Sequence, residues 1–266
     1  MTRRSMLGWP AALREAVAAG GAECAQFLTD VLGEESTPDL VAVVLRYWGH
    51  LPVEAVRRRL PALRVEADSR IRAAGSVGRG VRSGSGDVEV GRPVPSHSGF
   101  FALDLWPLRH RRFDGKMSPP LVREVFVAGD AVTVLPYDPL RDRVLLVEQV
   151  RMGPLGRGDP LPWQLEAIAG RIDPGETPED AARREAVEEA GLVLGQLEKV
   201  AEYYPTPGAV TEYLYSFVAL CDLPDGVAGV FGAAEEAEDI RGHLMSFDRL
   251  VEVMATGEIG NAPLLL

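Results

Sequence analysis

Three glutamates at positions 185, 188 and 189, preceded directly by Arg184, are the residues whose types and spacing could do chemistry. If the segment is helical, separations of three and four place Glu185 beside both Glu188 and Glu189, so their carboxylates share one face. Unrelieved, they repel one another. Hard divalent cations would remove that repulsion, because magnesium takes carboxylate oxygens and keeps waters or a substrate phosphate as its other ligands. Arg184 stands four residues before Glu188 and can hold it as an ion pair rather than touch a substrate. The chemistry on offer is the binding of hard divalent cations that keep water or phosphate as further ligands. The plain alternative is a glutamate-rich helix face that only meets water. Three glutamates alone do not choose between them.

The helix that must carry them has legible ends. Thr177 is a good N-cap, Pro178 suits the first helical position, Asp180 follows the cap by three residues, and Gly191 closes the helix in the left-handed position. The carboxylates are expected on its exposed side. Around it, β-branched and aromatic runs at 100–108, 122–127, 131–136, 144–149 and 213–220 predict strands, and 178–190 and 247–256 predict helices, which makes a mixed α/β domain. Residues 10–74 read differently. They are Ala-rich and Leu/Val-spaced, broken at Gly20, Gly21, Gly33, Gly49 and Pro52, and predict four or five short helices, with the clearest start at Thr37-Pro38-Asp39. The Gly/Ser stretch that follows cannot support a packed element. The expected division is a helical domain at 1–78, a linker at 79–86 and an α/β domain at 87–266. Arg57, Arg58, Arg59, Arg64, Arg70 and Arg72 could form a phosphate-binding surface, but Glu54, Glu66 and Asp68 interleave them, which favours a solvated helix face.

With 266 residues, 46% hydrophobic and 25% charged, the chain has room for two domains of ordinary globular composition. A net charge of −11 argues against nucleic acid or an anionic membrane as partner, since a negative field repels polyanions. An anionic substrate would need local arginine or metal. Cys24 and Cys221 are far apart and form no CxxC, which excludes a disulfide framework and fits a cytoplasmic location. No signal-peptide apolar stretch follows Arg3 and Arg4, and no uncharged run is long enough to span a bilayer.

Gly170, Glu176, Arg184, Glu185, Ala186, Glu188, Glu189, Gly191 and Leu192 together resemble the Nudix box: Gly, five residues, Glu, seven residues, Arg-Glu, an aliphatic, any residue, Glu-Glu, any residue, Gly and an aliphatic. A chance match at seven polar or glycine positions is on the order of one in a million for a chain of this size. Ala186 departs from the pattern only in size. Segments at 99–105, 109–115, 135–139, 147–151 and 238–241 look like those of bacterial ADP-ribose pyrophosphatases in the same order. Pro207, sixteen residues after Gly191, resembles the proline-marked loop of that branch. The likeness covers roughly residue 90 to the end. It does not cover the helical part, although longer relatives labelled tellurite-resistance proteins look similarly two-part.

The resemblance implies a Nudix α/β/α sandwich with a mixed sheet, preceded by a small mainly helical domain of unknown role. It implies magnesium-dependent hydrolysis of ADP-ribose to AMP and ribose 5-phosphate with two or three magnesium ions, manganese being a substitute. Glu185, Glu189 and the carbonyl of Ala169 would be the metal ligands, with Glu188 close by. Glu236 would be the general base, and Glu238 the second candidate for that role or a further ligand. Arg151 and Arg123 would meet the phosphates or the adenine surroundings, Phe100 would stack on adenine, and Glu124 and Glu212 would hydrogen-bond the adenosine or the far ribose. Pro207 and Gly208 would mark the substrate loop. A homodimer with exchanged N-terminal strands of the Nudix domain is implied, in which Phe100, Arg123 and Glu124 serve the partner's site. The rival readings are the same machinery acting on another nucleoside diphosphate sugar or a dinucleotide, and an ADP-ribose-sensing regulatory module. Leu264, Leu265 and Leu266 stand where relatives continue into a further helix, so a clipped tail is expected.

Overall fold

Helix-favouring sequence at the N-terminal end becomes α1 (Ala11–Ala19), α2 (Gly21–Leu32), α3 (Pro38–Leu45), α4 (Val53–Arg58) and α5 (Leu60–Ala74). The computed structural model describes residues 11–33, 37–75, 87–233 and 237–266. Helix α3 starts as its sequence requires, with the Thr37 side chain accepting from the Leu40 amide at 3.4 Å and Pro38 in the first turn. Cys24, Leu28, Val41, Val44, Tyr47 and Leu63 form the helices' own core. The Gly/Ser stretch at 79–86 lies outside the described residues.

Four antiparallel strands follow: β1 (Val88–Val90), β2 (Val94–Ser98), β3 (Ala102–His110) and β4 (Leu121–Val127). Strand β3 is central, pairing with β1 and β2 along one edge and with β4 along the other. The strand expected from Phe100 begins instead at Ala102, because Gly99–Phe101 make the turn of the β2–β3 hairpin. By contacts, the helices and these strands form one compact unit, ending at Gly129 and taking in Thr206–Thr211. Within it Arg46 donates to Asp104 at 2.6 Å and also pairs with Glu66.

The second unit comprises Asp130–Pro205 and Glu212–Leu266. Its elements are β5 (Ala131–Asp138), β6 (Arg143–Val150), α6 (Met152–Arg157), β7 (Trp163–Glu166), β8 (Ile168–Arg171), α7 (Pro178–Ala190), β9 (Leu197–Tyr203), β10 (Leu214–Leu220), β11 (Val230–Phe231), β12 (Ile240–Ser246), α8 (Phe247–Thr256) and α9 (Ala262–Leu265). The strands run β11-β12-β6-β5-β10-β9, with β7 on β6 and β8 on β5, and only β10 with β5 is parallel. Alternation along β6 turns Leu145 and Val147 toward Ala181, Ala182, Ala186 and Ala190 of α7. Val144 and Leu146 face Leu250 and Val253 of α8 on the other side. The unit is thus an α/β/α sandwich with a mixed sheet. Among the described residues no helix is long and apolar enough to cross a membrane.

Candidate active site

Helix α7 is fixed at both ends by local chemistry. Thr177 accepts from the Asp180 amide at 3.1 Å, and Gly191 takes φ +62°, the left-handed conformation that a side chain would strain. The alanines of α7 face the sheet, and the same stripe contains Glu185 and Glu189, which are 9% and 2% exposed. Of the three glutamates expected on the exposed face, Glu188 alone is there. Two carboxylates go under because Ala181, Ala182, Ala186 and Ala190 draw that side of the helix onto the sheet.

Each buried carboxylate has a place prepared for it. Glu189 accepts from the Ala169 amide at 3.1 Å and from Gln149 at 3.4 Å. Glu185 lies across Gly170: a Cβ there would stand 1.8 Å from the Glu185 Oε1, so only glycine admits the carboxylate. Arg184 gathers the rest. Its guanidinium takes Glu176 through two bonds, of 2.9 and 3.0 Å, Glu185 at 2.7 Å, Glu188 at 3.0 Å and the Arg171 carbonyl at 2.8 Å. Its pKa is raised, first by the bonds to Glu176, and the Glu176 carboxyl is lowered by the same contact. The arginine expected beside Glu188 thus organises three glutamates.

Burial pushes the Glu189 carboxyl up to about 8, the Ala169 amide and Arg151 opposing this while Glu185 and Glu238 add to it. Glu185 is likewise raised to about 6 by burial, against Arg184, with Glu188 and Glu238 repelling it. Glu238 thus belongs to the same electrostatic cluster. Its carboxylate is oriented by the Ala233 amide at 3.0 Å, and the loop leading to it is tied to α7 by the Gly232 amide on the Glu188 carbonyl at 3.3 Å. Glu236 lies outside the described residues. Arg151 donates to Glu166 at 2.8 Å, and although burial works against its charge, Glu166 outweighs that and raises its pKa. Glu212 is raised by burial and opposed by Arg151.

Among the described residues no three His, Cys, Asp or Glu side chains already converge as a finished metal cage. The donor set nevertheless suits a hard cation. Burial strips these carboxylates of water and neighbouring glutamates repel them, and a divalent ion that takes carboxylate oxygens relieves both. Glu185, Glu188, Glu189 and Glu238, with the backbone of Ala169, are the groups that would hold it.

The remaining substrate candidates fall in the first unit. Phe100 is 71% exposed and meets Phe101 edge-on at 4.8 Å, and Phe101 packs on Phe126 at 4.7 Å. Arg123 and Glu124 are exposed on the same strand as Phe126. The loop bearing Pro207 and Gly208 is bonded to Phe126 through the Ala209 carbonyl and the Thr211 amide. Sequence reasoning gave no part to Gln149 or Glu166. Gln149 had a readable signal, since period-two alternation puts it on the inward face with Leu145 and Val147, where an amide needs a partner. A cavity of about 170 Å³ lined by Glu148, Trp163, Val230, Asp239 and Arg241 also opens in the second unit. Alternation turns Glu148 away from the Gln149 face, so this space is separate from the glutamates of α7.

Two buried carboxylates and an exposed third on one helix, held over a strand of a mixed α/β/α sandwich, form a site suited to hard divalent ions. Residues 128–265 match the NUDIX domain model, and the chain belongs to the Nudix family. It is 41% identical over 182 residues to an ADP-ribose pyrophosphatase of Escherichia coli K12, covering 68% of this chain and 86% of that protein. It is 37% identical to an ADP-ribose pyrophosphatase of Haemophilus influenzae, covering 66% and 81%. A GDP-mannose pyrophosphatase of Enterobacter sp. is 36% identical over 146 residues, 54% of this chain and 75% of that protein. The solved structure of an ADP compounds hydrolase superposes with a TM-score of 0.50 at 20% identity, covering 67% of this chain and 85% of that one, and so agrees in fold.

Proposed function

We propose that this protein hydrolyses the diphosphate of ADP-ribose, water attacking phosphorus to give AMP and ribose 5-phosphate. The crowding of Glu185, Glu188, Glu189 and Glu238 supports metal-assisted hydrolysis, and the 41% identity to an ADP-ribose pyrophosphatase is the observation that carries the substrate. When bound, two or three magnesium ions, or manganese in their place, would polarise the diphosphate and lower the pKa of the attacking water. Glu185, Glu189 and the Ala169 carbonyl would hold them. Arg184 restrains Glu185 and Glu188, so that the ligand set is ordered before substrate arrives. Glu236 takes the proton of the attacking water, and Glu238 steadies the site beside it. Arg151 meets the diphosphate, Phe100 stacks on adenine, and Arg123, Glu124, Glu212 and the Pro207-Gly208 loop complete recognition of the nucleoside and far ribose.

The protein acts in the cytoplasm as a homodimer that exchanges the first strands of its Nudix domain, so that Phe100, Arg123 and Glu124 serve the partner's site. The exposed apolar side chains of Val94 and Val122, which the pairing with β3 puts on one face of that sheet, support a covered sheet face. We divide the chain functionally into a helical domain at 1–78, a linker at 79–86 and a Nudix domain at 87–266.

The likeness to a GDP-mannose pyrophosphatase supports a second reading, in which another nucleoside diphosphate sugar is preferred. Comparing kcat/KM for ADP-ribose, GDP-mannose and dinucleotides with magnesium, and with chelator as the blank, decides between them. A higher value for GDP-mannose would overturn the first reading. Binding of ADP-ribose without turnover would instead make the protein a sensor, a role that the three intact glutamates of α7 argue against.

A further inference from the structure

The turn that joins β2 to β3 is held from outside its own sheet. Ser98 and Ala102 are the last paired residues, and the tip is closed by the Gly99 amide on the Phe101 carbonyl at 2.9 Å. Phe100, at the apex, is 71% exposed. The Gly99 carbonyl, which the hairpin itself does not use, accepts a hydrogen bond from Nη1 of Arg59. Arg59 sits where α4 ends and α5 begins, so its backbone is fixed by both helices. Its guanidinium lies 5.9 Å from the centre of the buried Tyr47 ring, whose other neighbour is Arg46 at 5.6 Å. Arg46 in turn is paired with Asp104 on β3, one strand turn from the hairpin tip. Arg59 is therefore a braced side chain. Its charge-assisted bond reaches the peptide immediately before Phe100.

We propose that Arg59 is a positioning residue: by bonding the Gly99 carbonyl, the helical part of the chain orders the turn that presents Phe100 to the nucleobase. The proposal rests on the reading that Phe100 stacks on adenine. A three-residue turn with an exposed aromatic apex loses conformational freedom when its ring is engaged, and a turn already ordered loses less. Arg59 touches no reacting atom. Its loss raises KM and leaves kcat unchanged, and it gives the helices a part in substrate selection.

The test uses the full chain. Arg59→Met keeps the stem without the donors, Arg59→Gln is measured alongside so that poor folding of one variant leaves the other to decide, and Arg59→Lys restores a cation. Each is assayed with ADP-ribose and magnesium beside Phe100→Ala and the Arg59→Met/Phe100→Ala pair, with melting curves and amide hydrogen exchange of the 97–103 peptide. Expected are a rise in KM of about fivefold for Met and Gln, kcat within about twofold of wild type, partial recovery with Lys, faster exchange at 97–103, and a double variant no worse than Phe100→Ala. Wild-type KM and exchange in Arg59→Met would overturn the proposal, as would single effects that multiply in the double variant. Wild-type KM in Phe100→Ala would remove the adenine reading itself. Faster exchange in Arg59→Met would then leave Arg59 anchoring a turn without a part in binding, which also overturns it.

Discussion

Glu189 shows how much of the chemistry depends on one side chain being held against its preference. At 2% exposure, its carboxylate has, among the described residues, the Ala169 amide and Gln149 as donors, and burial raises its proton affinity. Glu189→Gln keeps the shape and can still accept from Ala169, but it has no charge to offer a cation. We expect kcat/KM to fall about 100-fold or more while the metal-free melting temperature stays level or rises, since burial already disfavours the ionised carboxylate that glutamine replaces. Near-normal turnover in the purified variant would end the assignment of Glu189 as a metal ligand. Glu236 and Glu238 separate by a different measurement, the magnesium dependence of the rate. Glu236→Gln should lower kcat about 100-fold with little change in KM, the scale of a lost general base, whatever the magnesium concentration. Glu238→Gln should raise the magnesium needed for half-maximal rate and be partly rescued by adding more. The opposite pattern of rescue would exchange the two roles.

Between elements, the contact that sets the site is that of β8 with α7, where Gly170 leaves room for Glu185. A Cβ would meet that carboxylate at 1.8, 2.0 and 2.5 Å, so Gly170→Ala shifts the Glu185 carboxylate from the place where it accepts from Arg184. Activity should fall at least tenfold with a raised magnesium requirement; wild-type kinetics in Gly170→Ala would show that the helix yields freely. At the β5–β6 turn Asp138 accepts from the amides of Leu140, Arg141 and Leu223 and from the Arg141 side chain. Burial works against its charge, but these bonds outweigh it and hold the carboxyl below its ordinary range. A carboxyl lowered on folding stabilises in full above its unfolded pKa of about 3.9 and loses that contribution as pH falls toward the folded value. Melting temperature against pH should therefore drop below about pH 4 in wild type and less steeply in Asp138→Asn, which starts lower at neutral pH; parallel curves would refute this. The ends of α7 could be read in the sequence because caps are local chemistry. Strands β7 and β8 could not, being four residues each, nor β9, whose charged edge pairs only with β10, nor β12, where Gly242 and His243 dilute the pattern. Likewise the box glutamates were legible by type and spacing. Their burial was not, because it depends on an alanine stripe finding a sheet, although Ala181, Glu185 and Glu189 do recur every four residues.

For the molecule as a whole, composition and contact divide the chain by different criteria: the Gly/Ser stretch marks where the backbone is least constrained, whereas packing decides what unfolds together. In the first unit the helices meet the strands through Arg46, 3% exposed, with Asp104, 0% exposed, and Glu66. Burial raises both carboxyls more than Arg46 lowers them, and the two carboxylates hold Arg46 charged in spite of its own burial. Such a triad is poor as a source of net stability and costly to break, because removing one member strands the others without water. Arg46→Met should therefore cost about 3–5 kcal/mol in urea unfolding, since it leaves Asp104 and Glu66 buried and unpaired. Replacing all three together, Arg46→Met with Glu66→Leu and Asp104→Leu, should recover most of that loss, since apolar side chains of similar volume need no partner in that position. Followed by tryptophan fluorescence, to which Trp48 on the helical side and Trp106 on β3 contribute, the wild-type helices and strands should unfold in one transition, and Arg46→Met should move that transition to lower urea without dividing it. A neutral Arg46→Met would mean that water reaches the triad in solution, and a transition that divides would mean that the helices fold apart from the sheet to which Arg46 ties them.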